Sequence, residues 1–342
     1  DVLGNNTLSQ AGSAYIFERD NSGNWNQQQK ITASDRASGA NFGRSVAIFE
    51  DVIVIGAHKE DYNTSGSDYK SNAGSAYIFE KDNLGNWSQT QKIVANDRYN
   101  DDSFGWSVAV SGTHIIVGAY QEDENVFGLD TKITAGSAYV FEKDNLGSWN
   151  QTQKIVASDR AISDYFGFSV SISGNYALIG AYGQDYNAEG TNSTYGAGAA
   201  YGFEKDSSGQ WSEVQKLVAS HRDLNDLFGV AVSISGNTAV VGAHEEDYDS
   251  NESNIKFNSG AVYIFTRQTN GSWVLEQKIS AEDRNSFDFF GRSVSISGNL
   301  LVVGAYQEKE DEEGLNPYGD AGSAYVFEKN TNGLWLAKQK IV

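Results

Sequence analysis

The side chains able to do chemistry in this chain recur at fixed intervals. His58 and His244 each follow a Gly-Ala pair, and Tyr120, Tyr182 and Tyr306 follow the same pair, all separated by multiples of 62 residues. Imidazole and phenol groups at one repeated position would gather into a ring suited to stacking on sugars and hydrogen bonding to them; equally, such a ring would pack between neighbouring units. Each of the five opens a stretch of 15 residues: His58–Asn72, Tyr120–Thr134, Tyr182–Gly196, His244–Asn258 and Tyr306–Asp320. Together these stretches hold 20 acidic residues against 5 lysines, a balance of −15 in a chain whose formal charge is −20. Glu60, Asp61 and Asp68, and Glu245, Glu246, Asp247 and Asp249, are oxygen donors of the kind a hard cation takes, calcium first among them. The alternative is that acidic loops keep the surface soluble. No stretch matches an EF-hand or a Gly-Asp nonapeptide.

A second charged series is Asp35-Arg36, Asp97-Arg98, Asp159-Arg160, His221-Arg222 and Asp283-Arg284. A pair present in every repeat reads as a contact between neighbouring units rather than as five active sites. His221 breaks the series, yet it has no obvious nucleophile or partner. No nucleophile elbow, phosphate loop, zinc motif or kinase signature is present. The negative balance repels phosphates and anionic headgroups, which argues against nucleic acid and membrane surfaces as partners. No apolar run reaches the length that spans a bilayer. The absence of Cys removes disulfides and thiolate metal sites. The chain begins with Asp1, inside a repeat, and reads as a piece of a longer polypeptide.

The elements that must position these residues follow from the 62-residue period. AGSAYIFE at Ala11 returns at Ala73, Ala135, Ala197, Ser259 and Ala321 with small changes; Trp25, Trp87, Trp149, Trp211, Trp273 and Trp335 keep the interval, as do six Gln-Lys pairs beginning at Gln29. A third series, Phe-Gly at Phe42, Phe104, Phe166, Phe228 and Phe290, keeps the interval only five times. One unit reads as four strands: FGRSVAI, then VIVIGA after a short turn, GSAYIFE after the acidic loop, and WSQTQKIV after a Gly-containing turn. The second strand is apolar almost throughout, as in a strand covered on both faces. The fold class is therefore all-β, a β-propeller of four-stranded antiparallel blades: five full repeats (33–94, 95–156, 157–218, 219–280 and 281–342) and an N-terminal half blade (1–32), forming a single domain over 1–342 and expected to close into a ring. The periodic Trp residues read as packing anchors, with Trp106 outside their series.

Phe-Gly, VxxGA, GSAYxF, WxxxQK and ASDR together resemble the FG-GAP repeat family over essentially the whole chain, and more closely its bacterial branch than the integrin-type propellers. Two departures bear on what the resemblance implies. His58, Tyr120, Tyr182, His244 and Tyr306 replace the Pro of the GAP signature, and the first turn of each unit is only FED, SGT or SGN, so the calcium site of integrin-type members is not implied. The resemblance and the loops point to an extracellular or cell-surface binding or adhesion module, bacterial in origin, with a glycan or a cell-surface protein as partner. The alternatives are a carbohydrate-active enzyme of the polysaccharide lyase kind and a structural spacer of a large surface protein.

Overall fold

The fold is taken from a computed structural model that describes residues 7–310 and 321–342. Acidic residues Asp311, Glu312, Glu313 and Asp320 of the fifth long loop lie outside the described residues, as does the start of the expected half blade. Among the described residues there are strands and turns and no helix. Strands β1 (Ala14–Arg19) and β2 (Trp25–Ile31) form a two-stranded sheet. The next four, β3 (Ser45–Phe49), β4 (Val52–Ala57), β5 (Ser75–Lys81) and β6 (Trp87–Ile93), form a four-stranded antiparallel meander. The meander recurs as β7–β10 (Ser107–Ser111, His114–Ala119, Ser137–Lys143, Trp149–Ile155), β11–β14 (Ser169–Ser173, Tyr176–Ala181, Ala199–Lys205, Trp211–Leu217), β15–β18 (Ala231–Ser235, Thr238–Ala243, Ala261–Arg267, Trp273–Ile279) and β19–β22 (Phe290–Ser297, Leu300–Ala305, Ser323–Lys329, Trp335–Ile341). These are the five blades and the half blade expected from the repeats. The chain divides into two compact units, residues 1–156 and 157–342, and no sheet crosses the division.

In four of the five four-stranded sheets the second and third strands are the buried ones: Val54 and Ile55 of β4, and Ile115 and Ile116 of β8, have no exposed surface, whereas Leu300 and Val302 of β20 are exposed. Packing needs glycine where sheets meet. A Cβ on Gly56 would fall 1.9 Å from the Gly105 carbonyl oxygen, so β4 can approach the neighbouring repeat only without a side chain there. Phe104 fills the adjoining space, edge-on to Tyr139 and Phe141 at 5.5 and 5.9 Å. Gln91 clamps the start of the next fourth strand, donating to the Trp149 carbonyl at 2.7 Å and accepting from its N–H at 2.9 Å. Trp87, Trp149, Trp211, Trp273 and Trp335 are buried as anchors, but Trp25 is 68% exposed, with Tyr15 and Phe17 beside it on a sheet face that no strand of the first unit covers.

One irregularity recurs in every pairing of third and fourth strands. Ile78 pairs with Gln91 and Phe79 with Gln89, so Thr90 is an extra residue, a β-bulge. Because side chains alternate along a strand, the extra residue shifts the later half of β6 by one face. Gln91 and Ile93 thus share the face of Ile78, and Lys92 turns onto the face of Tyr77.

Candidate functional site

The bulge delivers a lysine into a buried carboxylate cluster. In the first full repeat the Lys92 ammonium lies 2.7 Å from Asp35 Oδ2 and 3.4 Å from Glu60 Oε1, while the Tyr77 hydroxyl donates to Asp35 Oδ1 at 2.8 Å. The second repeat places Lys154 against Asp97 (2.7 Å) and Glu122 (2.9 Å), with the Ser137 hydroxyl donating to Glu122. In the third, Lys216 and Tyr201 both hold Asp159 at 2.7 Å, and a neutral Gln184 takes the glutamate's place. The fifth sets Lys340 against Asp283 (2.7 Å) and Glu308 (2.9 Å), with Tyr325 donating to Asp283. Asp283, Glu308 and Glu310 are close enough together to hold a metal ion, but the Lys340 ammonium already bonds the first two. A second carboxyl series, Asp102, Asp164, Asp226 and Asp288, packs beside the clusters and accepts from backbone N–H groups. Burial pushes these four up to about 8, 7, 8 and 6.

The proposed oxygen donors of the acidic loops fall into two environments. Glu60 and Glu246 are buried at the loop bases, where each accepts from the backbone N–H of the residue two further on, Tyr62 and Tyr248. Burial is the largest influence on Glu60 and raises it. Asp61 and Asp247 close their loops by accepting from the Asn72 and Asn258 N–H groups at 2.8 and 2.7 Å. Asp249 accepts from Asn251 and Ser253 in a tight turn and is held below its usual range, chiefly by the Ser253 N–H. The Arg98 guanidinium enters the first loop, bonding the carbonyls of Asp61 and Asp68 at 2.8 and 3.0 Å and the Asp68 carboxylate at 3.0 Å. Arg284 enters the fourth loop in the same way, through the carbonyls of Asp247 and Asn254. Thus the Asp of each Asp-Arg pair binds lysine, and Arg98 and Arg284 stiffen the preceding loops through oxygens that a cation would otherwise use. Glu245 is partly exposed, 3.7 Å from His244 Nε2, and is raised by burial.

The five residues after Gly-Ala are drawn into aromatic clusters by partners from other positions. In the first unit Trp106 joins His58 (5.0 Å, edge-on) to Tyr120 (4.5 Å), and the Arg44 guanidinium lies over Trp106 at 3.7 Å. In the second unit Tyr182 stacks on Tyr165 at 4.9 Å and meets Phe168 at 4.6 Å, while Phe289 joins His244 (5.7 Å) to Tyr306 (5.1 Å). His58 and His244 are buried, Tyr120 and Tyr182 half-buried and Tyr306 exposed. Burial, then Arg44 and Lys59, lowers His58 to about 4; burial and Arg292 lower His244 to about 3. Both imidazoles are therefore neutral at pH 7, and the Nδ1 atom of each lacks a hydrogen-bond partner. The partners Arg44, Trp106 and Phe168 all follow Phe-Gly directly, and Tyr165 and Phe289 precede it. Comparing the residues flanking that motif across repeats would have found them.

Sheets of this order, each with a polar cluster that recurs from repeat to repeat, define a repeat protein of β-propeller blades whose recurring charges serve the fold. The chain belongs to the FG-GAP repeat family: its profile matches residues 25–79, 87–141, 149–203, 211–265 and 273–327. Each match begins on the last strand of one sheet and ends on the third of the next. No curated protein sequence matches the chain at a significant level.

Proposed function

We propose that the chain is a non-catalytic binding module of an extracellular or cell-surface protein of bacterial origin, and that the end of each unit carrying the long loops recognises a glycan or a protein ligand. The observation that carries this reading is the contrast between the two kinds of site. Charged clusters repeat almost unchanged and are occupied with holding strands and loops. The aromatic clusters differ from repeat to repeat, reach the surface through Tyr306 and the half-buried Trp106, Tyr120 and Tyr182, and carry the Arg44 guanidinium. Aromatic faces with polar tips at a partly open surface suit sugar stacking and protein hot spots alike. Glycan-array and cell-surface binding measurements test this. Tyr306→Ala and Trp106→Leu are each expected to weaken binding by about tenfold or more, the loss of roughly 1.4 kcal/mol, with the melting temperature of the exposed Tyr306 variant unchanged. Turnover of a polysaccharide panel would overturn the non-catalytic reading.

A further inference from the structure

The lysine clusters are built to a common plan that one repeat breaks. In four repeats the aspartate of the Asp-Arg pair lies 2.7 Å from the lysine ammonium. In three of them, a tyrosine hydroxyl donates to the other oxygen of the same carboxylate at 2.7 to 2.9 Å. Lysine and tyrosine together form a two-point cradle for a carboxylate, one oxygen to each donor. The carboxylate enters it from the surface side: the Asp35 side chain is 42% exposed, whereas the Lys92 side chain is 6% exposed.

The fourth repeat keeps both donors, Lys278 and Tyr263, but has His221 in place of the aspartate. His221 does not take over the role. Its ring turns to Tyr248, edge-on at 4.6 Å, and its Nδ1 lies 3.5 Å from Asp223. The Lys278 side chain is 4% exposed and its ammonium donates no hydrogen bond; the nearest carboxylate oxygen is Glu246 Oε1 at 3.5 Å. The Tyr263 hydroxyl, released from an aspartate, donates to Glu246 Oε2 at 2.6 Å instead. A buried ammonium without a hydrogen-bond acceptor is costly, and an acceptor that reached it would be held strongly.

We propose that the cradle of the fourth repeat, Lys278 and Tyr263, is a binding site for a carboxylate supplied by another molecule, either a uronic acid of a glycan or the carboxylate of a peptide. The second repeat shows that the local charge permits it. There Asp97, Glu122 and the protonated Asp102 coexist around one lysine, the set that a bound carboxylate would complete beside Glu246 and Asp226. The site is separate from the aromatic clusters and uses none of their residues.

Calorimetry on the full chain at pH 7 with acetate, glucuronate, triglycine and the neutral methyl glucoside tests the proposal. Saturable binding of at least one carboxylate probe is expected, with glucuronate preferred over triglycine if the source is a glycan and the reverse if it is a peptide. His221→Asp supplies an internal carboxylate and is expected to weaken that binding at least tenfold while the melting temperature stays at or above that of the parent, showing that the fold is intact. Lys278→Met is expected to abolish it. No saturable binding by any carboxylate, or undiminished affinity in His221→Asp, would overturn the proposal. Methyl glucoside reports on the aromatic clusters alone, so its outcome bears on the proposed function and not on this site.

Discussion

At the scale of single residues, the sequence shows which groups recur but not which way they face. The Gln-Lys pairs are visible as a series, yet Lys92 belongs to a buried cluster only because Thr90 is an extra residue in its strand, and strand alternation read from Trp87 would place it on the opposite face. Glu60 and Glu246 were legible as carboxylates of acidic loops; their burial was not, because the loops fold back over them. The Asp102 series recurs at the 62-residue interval from Asp102 to Asp288 and could have been found that way, although Ala40 occupies its place in the first repeat. Removing the buried ammonium by Lys92→Met leaves Asp35 and Glu60 without their counter-charge and is expected to cost about 3 kcal/mol. By contrast, Lys338→Met, which breaks a half-exposed pair with Glu328, is expected to change stability by less than about 0.5 kcal/mol. Urea melts of the two variants check the contrast. Because Arg98 and backbone N–H groups already satisfy Asp61 and Asp68, calcium added after chelation is expected to leave the melting temperature unchanged at millimolar concentration. A clear rise would return the exposed carboxylates to candidacy as a cation site.

At the scale of elements, the turns joining first and second strands are short, as their sequence implies, and their chemistry differs at one place. Gly112, Gly174, Gly236 and Gly298 open these turns with φ between 55° and 58°, whereas the first repeat places Glu50 there with φ of 50°. A left-handed conformation costs a residue with a Cβ about 1 kcal/mol or more, so Glu50→Gly is expected to stabilise the first unit by about 1 kcal/mol, offset in part by greater freedom of the unfolded chain. The midpoint of denaturant unfolding reads this directly. Four strands per repeat, their order and the buried second strand were all legible because apolar runs and glycine turns are local signals. The aromatic clusters were legible only by half: the residue after Gly-Ala was apparent, but its partners come from the far side of the Phe-Gly turn, brought near by sheet packing.

For the molecule as a whole, two opposed sets of buried groups set the response to pH. Asp102, Asp164, Asp226 and Asp288 hold their protons in the folded state up to about 8, 7, 8 and 6, but release them near 4 when unfolded. Their stability contribution is fully present below pH 4 and is lost as pH rises through those values. His58 and His244 act oppositely, since their folded values of about 4 and 3 lie below the unfolded 6.5; what they contribute is present above 6.5 and lost as pH falls. Between pH 8.5 and 6.5 the aspartates dominate among these six, the imidazoles beginning to charge in the unfolded state only near 6.5. The melting temperature is therefore expected to rise on acidification through that window and to rise more slowly below it, where two imidazoles oppose four aspartates. Asp102→Asn keeps an acceptor for the Tyr99 N–H without a titrating proton, and is expected to flatten the slope. A melting temperature that falls steadily from pH 8.5 to 6.5 would show that the aspartates are not buried as described.

The bulge at Thr90 carries one more implication, for how such a gene is free to vary. Thr90 is exposed and its side chain makes only a long contact with the Ile78 carbonyl, at 3.5 Å, so many replacements there are expected to be silent. Loss of its codon would leave the pairing in place: Gln89 and Gln91 would become neighbours opposite Phe79 and Ile78, so Gln91 keeps the face of Ile78 and Lys92 the face of Tyr77. A library that randomises this position and also deletes it, sorted for folded protein, is expected to recover most substitutions and the deletion too, so that these strands are free to drift at this one place in length as well as in letters.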